Sequence, residues 1–184
     1  MQTEKEALRR LVRRIIKEQL EDDDRLAVKP FDQSKGYCGP ASLKMVLKFF
    51  EDDRTEDEIA KIAGASKQDG TPGENLVAAA QKLGYDSWLE DNSTTEDLIK
   101  YVVKEELPVI VNWFSTTEGH YSVVVGIDEE KEEIKIQDPE IKQMRTFPLD
   151  EFENMWFDFD SDIPEKESFV IRRLIVVKPK STSK

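Results

Sequence analysis

The stretch QSKGYCGPASL, residues Gln33 to Leu43, holds the only cysteine of a 184-residue chain and marks the point where a loop turns into a helix. Upstream of Cys38 the residues are polar and include Gly36. Downstream, Pro40 suits the first turn of a helix, and Ala41-Ser42-Leu43-Lys44-Met45-Val46-Leu47 continues it with an apolar face. Gly39 permits a close backbone approach. Cys38 is therefore expected at the positive end of a helix dipole, a setting that favours a thiolate over a thiol. A cysteine so placed is either a small buried residue or a nucleophile, and the rest of the chain has to discriminate.

On the N-terminal side, Leu26 to Phe31 reads as extended and follows the acidic run Glu21-Asp22-Asp23-Asp24. Before it, Leu8, Leu11, Val12, Ile15, Ile16 and Leu20 recur at helical spacing, so residues 1–24 are expected to contain an amphipathic helix. Its polar face is mainly basic, with six Lys and Arg against three Glu in the first twenty residues. That pattern is explained by a solvated face beside a core stripe. It also leaves room for a regulatory segment lying over an acidic body.

On the C-terminal side, Thr55 to Glu58 has the capping-box pattern ahead of Ile59 and Ile62, with Gly64 placed to end the helix. Pro72 and Gly84 bracket a helix containing Leu76, Val77 and Ala78 to Ala80. Tyr85 to Leu89 reads as a short strand, and Thr95 to Glu106 as a helix ending before Pro108. The pattern then changes. Val109 to Phe114, Tyr121 to Ile127, Glu133 to Gln137 and Phe169 to Val177 are strand-like, with a short helix around Leu149, Phe152, Met155 and Trp156. Helices followed by strands predict an α+β fold, a helical layer packed on a largely antiparallel β-sheet. Neither an internal repeat nor a linker divides the body, which is expected to span residues 25–178 and to end in a polar tail, 179–184.

Composition narrows the function. A net charge of −12 repels a phosphate backbone, which argues against nucleic acid as a partner. The charged N-terminal segment has neither the apolar core of a signal peptide nor a membrane span, so a cytoplasmic protein is expected, with no membrane partner. One cysteine and one histidine are too few for a structural zinc site, and the acidic runs lack the ligand spacing of a calcium loop. Neither a metal nor another cofactor is expected.

Acyl-transfer chemistry needs four groups, and the chain offers a candidate for each. Cys38 is the nucleophile. His120, the single histidine, follows Gly119 at the head of a strand, where its imidazole can take the thiol proton and return it to a leaving amine. Two acids follow it. Asp128 falls at the far end of the strand, about 26 Å away at ~3.3 Å per residue, whereas Asp138 comes back on the next strand. Whether Asp138 shares a face with His120 depends on a register that sequence does not fix. Gln33 supplies a side-chain amide that, with the Cys38 backbone N–H, can stabilise an oxyanion.

With these residues in place, the sequence resembles the papain-like cysteine peptidases that trim double-glycine leaders from bacteriocins, and especially their stand-alone relatives. The resemblance rests on Gln33, on Cys38-Gly39-Pro40-Ala41-Ser42-Leu43 with Met45, on Gly119-His120-Tyr121 with its valine run, and on Asp138-Pro139. It spans about Val28 to Pro139. It implies a papain-like cysteine proteinase fold, with Cys38 as nucleophile, His120 as general base and acid, Asp138 as orienting group and Gln33 as oxyanion donor. A peptide or protein substrate is implied as well. The chain departs from the pattern in two places: the glutamine lies five residues before the cysteine where the family has six, and Tyr37 replaces the acidic residue that precedes the cysteine in transporter-linked members.

Sequence leaves two alternatives to a peptide-bond hydrolase open: an acyl transferase using the same triad, and a peptide-binding module of the same fold with little or no turnover.

Overall fold

The computed structural model describes residues 25–115, 118–159 and 169–180. The helix expected within residues 1–24 lies outside them, as do the last four residues of the expected tail.

The first helix, α1 (Cys38–Phe49), begins at the cysteine and buries Leu43, Val46 and Leu47. In α2 (Glu56–Ala63) the capping box forms as the sequence predicts. Thr55 Oγ1 accepts the Glu58 N–H at 3.2 Å, and the Glu58 carboxylate accepts the Thr55 N–H at 2.9 Å. Gly64 then ends the helix in the left-handed conformation. α3 (Gly73–Lys82) starts directly after Pro72.

The helix expected over Thr95 to Glu106 forms from Thr95 to Lys104 and changes type on the way. Only α4 (Thr95–Leu98) is α-helical, and Ile99–Lys104 continues as a π-helix. Glu105 donates to the carbonyl of Lys100, and Leu107 reaches back to that of Tyr101. The residue before Pro108 disfavours helical geometry, and Glu106 turns to φ 53°, so the last turn widens instead of closing.

Six strands make one sheet: β1 (Tyr85–Glu90), β2 (Val109–Phe114), β3 (Gly119–Asp128), β4 (Glu133–Asp138), β5 (Gln143–Pro148) and, last in the chain, β8 (Leu174–Pro179). Their order is β1-β8-β2-β3-β4-β5, with every neighbouring pair antiparallel. After α5 (Leu149–Met155), β6 (Phe157–Phe159) pairs with β7 (Phe169–Ile171) in a separate two-stranded sheet.

The single strand expected over Phe169 to Val177 is thus two strands in two sheets. Arg172, at φ 50°, breaks the run and donates its backbone N–H to Trp156. β5 escaped the sequence reading because its pattern, exposed apart from Arg145 and Phe147, carries little apolar signal.

Apolar side chains cover both faces of the sheet rather than one. Leu43, Leu47, Ile59 and Leu76 from the helices meet Ile110, Val123, Val125 and Ile175 on the first face. On the second, Val111, Trp113, Val124, Ile127, Ile134 and Ile136 pack with Tyr101, Phe152 and Trp156. Burial on both sides explains why β2 and the core of β3 are continuous apolar runs instead of alternating ones.

A β-bulge interrupts the β3–β4 ladder. Val124 pairs with Ile136, but Gly126 pairs with Lys135, so Val125 is an extra residue on β3. The incoming chain uses it: the Leu26 N–H donates to the Val125 carbonyl at 2.7 Å, and Arg25 bridges to Gly126.

Candidate active site

Three segments meet around Cys38. The loop that precedes it is pinned at several points. The Ser34 N–H donates to the Glu56 carboxylate at 2.9 Å, Tyr37 N–H turns back to the Ser34 carbonyl, and Lys67 lies over the Tyr37 ring. Gly36 adopts φ +79° with Lys67 backbone pressed against it, so this position excludes a side chain both by conformation and by space. α1 then begins at Cys38. No side chain caps it and its first turn holds no acid, which leaves the N-terminal N–H groups and their partial positive charge for the thiol.

His120 enters from the head of β3, paired with Trp113 on β2. It is 5% exposed, and the Trp113 indole packs edge-on against it with ring centroids 5.9 Å apart. Its Nε2 lies 2.7 Å from Asp138 Oδ1. The Cys38 thiol is near enough to the ring to favour its charged form, and with Nε2 on Asp138 the second imidazole nitrogen, Nδ1, is left for it. Burial alone would hold the imidazole neutral. The hydrogen bond to Asp138 and the nearby Cys38, together with the negative charge of both, outweigh it and push the pKa up to about 9.

Asp138 closes β4 with its side chain fully buried. Its Oδ1 also accepts the Glu140 N–H at 3.0 Å, and its Oδ2 accepts from Arg145 at 3.1 Å. Burial opposes ionisation of this carboxyl. The His120 contact, with help from Glu140 N–H and Arg145, holds it below the usual carboxylate range nonetheless. His120, Asp138 and Glu140 lie close enough to be compared with a metal site. Here Nε2 and Oδ1 are hydrogen-bonded to each other and Oδ2 accepts from a guanidinium, so His120 Nε2 and the Asp138 carboxylate already have partners.

Gln33 joins the two halves. Its backbone N–H donates to the carbonyl of Pro139, the residue after Asp138, at 3.0 Å. Its side-chain Oε1 is buried without a hydrogen-bond partner among the described residues. Asp128 sits at the opposite end of β3 and caps the β3–β4 turn through the N–H groups of Glu130 and Lys131. The structure therefore brings Cys38, His120 and Asp138 together, ties the Gln33 backbone beside them, and excludes Asp128. Sequence reasoning missed Arg145. The only signal was its place on a strand that itself went unread.

The profile of the Peptidase_C39 like family matches residues 25–162. The chain belongs to that family. No curated protein matches it significantly. Among solved structures it is similar to the peptidase domain of Streptococcus ComA, a bi-functional ABC transporter involved in quorum sensing. Identity is 21%, the alignment covers 83% of this chain and 99% of that one, and the TM-score is 0.64. A double glycine motif protease from an AMS/PCAT transporter, in complex with its leader peptide, is 22% identical over 85% of this chain and 94% of that one, with a TM-score of 0.62. A protein from Bacillus anthracis described as a C39-like peptidase is 17% identical over 86% and 99%, with a TM-score of 0.61. At these identities the likeness concerns the fold, which is that of the papain-like C39 peptidase domains. Among the described residues no helix is long and apolar enough to cross a membrane.

Proposed function

We propose that this C39-family chain is a cysteine-dependent peptide-bond hydrolase acting through Cys38, His120 and Asp138, with Gln33 as oxyanion donor. One observation carries the reading. A single histidine hydrogen-bonds a fully buried aspartate through Nε2 at 2.7 Å, which leaves its other nitrogen for the only thiol, close enough to raise its pKa and placed at the start of a helix.

The chemistry follows from that arrangement. Cys38 Sγ attacks the scissile carbonyl carbon as its proton resides on His120 Nδ1, and the carbonyl oxygen gains the negative charge. The Cys38 backbone N–H and the Gln33 side-chain amide are the donors for that oxygen. When the tetrahedral adduct collapses, the C–N bond breaks and His120 delivers its proton to the departing amine, leaving a thioester on Cys38. Water then attacks the thioester carbonyl and His120 takes a proton from it. Release of the carboxylic acid returns the thiolate to its imidazolium partner. Asp138 keeps the ring oriented with Nδ1 toward sulfur throughout, and the family membership supports a peptide substrate.

A quenched-peptide library incubated with wild type and with Cys38→Ala tests the reading. Cleavage is expected only with the wild type, and a hydrolysis-slow substrate should add one acyl mass to Cys38. Equal cleavage by both proteins, or none by either across the library, refutes it.

A further inference from the structure

Arg145 occupies an odd place. It lies on β5, the sheet's edge strand, at an inward position where Phe147 is the next side chain on the same face. Its guanidinium stacks 4.7 Å from the Phe147 ring centroid and 5.1 Å from that of Trp113, the residue whose edge meets His120. Only 30% of its side chain is exposed. From there it donates to Asp138 Oδ2 at 3.1 Å, on the oxygen that His120 does not use. In the β4–β5 ladder Arg145 is opposite Ile136, one diagonal step from Asp138, so the ladder itself delivers the contact.

We propose, on the peptidase reading above, that Arg145 is a positioning residue: it clamps the Asp138 carboxylate toward His120 and takes up part of its negative charge, so that the imidazolium can give up its proton during turnover.

The reason is a conflict within the site. A buried carboxylate at 2.7 Å stabilises the imidazolium strongly, and Glu140, whose carboxylate lies close by, acts in the same direction. A Cys38 thiolate adds more negative charge from α1. Every one of these groups favours a protonated ring. The proposed cycle needs that ring to release its proton to the amine and then to act as a base toward water, which too basic an imidazole does slowly. Arg145 is the cation on the other oxygen of Asp138. Its planar donor group, stacked on two rings, fixes the carboxylate's rotation in a way that the Glu140 N–H on Oδ1 does not.

The chain has one histidine, so the imidazole C–H resonance reports His120 titration without assignment and without any substrate. Wild type, Arg145→Met, Arg145→Gln and Arg145→Lys are titrated by proton NMR, with circular dichroism to establish folding. Met keeps the apolar stem and Gln keeps a donor, so either neutral variant carries the test if the other fails to fold. We expect the neutral variants to raise the His120 pKa by about half a pH unit or more, and Lys to hold it near the wild-type value. With a cleaved peptide in hand, the neutral variants should lose roughly tenfold or more in kcat at neutral pH with little change in KM, and Lys should recover part of it. An unmoved or lowered pKa in folded neutral variants overturns the role of Arg145 while leaving the peptidase reading intact. Absence of turnover by wild type refutes that reading and leaves the titration result interpretable.

Discussion

His120 Nε2 and Asp138 Oδ1 lie 2.7 Å apart, although the two residues are on different strands and 18 positions apart. From there Asp138 favours the charged form of the ring, and in the proposed mechanism it also fixes which imidazole nitrogen faces Cys38. Asp138→Asn keeps the shape and removes the charge. It should bring the His120 pKa down from about 9 toward its ordinary 6.5 and cut kcat/KM by about 10²- to 10⁴-fold. Proton NMR of the single histidine, beside peptide kinetics, checks both. An unchanged titration would show that Asp138 is a bystander.

The same pair makes stability depend on pH. His120 binds its proton more tightly in the folded chain than in the unfolded one, so the stabilisation is complete below about pH 6.5 and is lost as pH rises through about 9. The difference corresponds to on the order of 3 kcal/mol. Asp138, held below its usual range, contributes above the unfolded carboxylate value and loses that contribution as pH falls through its lower folded one. Urea unfolding of wild type and His120→Gln at about pH 6.5 and about pH 10 reads the first effect. The advantage of wild type should shrink at the higher pH, and a gap of constant size would contradict the ion pair.

Gln33 is expected to act on the transition state and not on binding. Gln33→Ala should lower kcat by roughly 10²- to 10³-fold with KM nearly unchanged, while alkylation of Cys38 by iodoacetamide, which forms no oxyanion, should proceed at the wild-type rate. A loss confined to KM would remove Gln33 from the set.

Gly36 shapes the loop that leads into Cys38. At φ +79° a side chain is strained, and a Cβ would lie 2.5 Å from the backbone oxygen of Lys67, which has little freedom to retreat. Gly36→Ala should cost on the order of 2 kcal/mol or more and disturb Cys38, two residues on. Thermal unfolding together with the alkylation rate tests this. Gly64→Ala makes a useful contrast, because its φ is also positive but its surroundings are open, so it should lose stability without loss of Cys38 reactivity.

The amino-acid sequence by itself determined the local signals. A helix starts at Cys38 because Pro40 and the residues after it suit one, α2 starts at Thr55 because Thr and Glu three apart satisfy each other's orphan N–H groups, and the valine-rich runs could only be buried strands. These signals act over a few residues, so they survive without tertiary context. They also limited the candidates for the site to one cysteine, one histidine, two aspartates and one glutamine. Elements whose pattern is weak or whose geometry depends on distant partners were not legible. β5 shows few apolar residues because one side faces solvent, and the break at Arg172 is fixed by a carbonyl sixteen residues earlier.

What only the tertiary structure decided is the face on which Asp138 lies. Side chains alternate across a strand, so a shift of one residue exchanges faces. The extra residue at Val125 produces that shift. Before the bulge the register runs Val124 to Ile136 and Val123 to Gln137, and its next step sets Asp138 against Ser122, on the face of His120. Without the bulge Asp138 would be opposite Val123 and would point to the other side of the sheet. The bulge is held by the chain entering at Arg25 and Leu26, about a hundred residues away in sequence, and no local pattern in β3 or β4 encodes that contact.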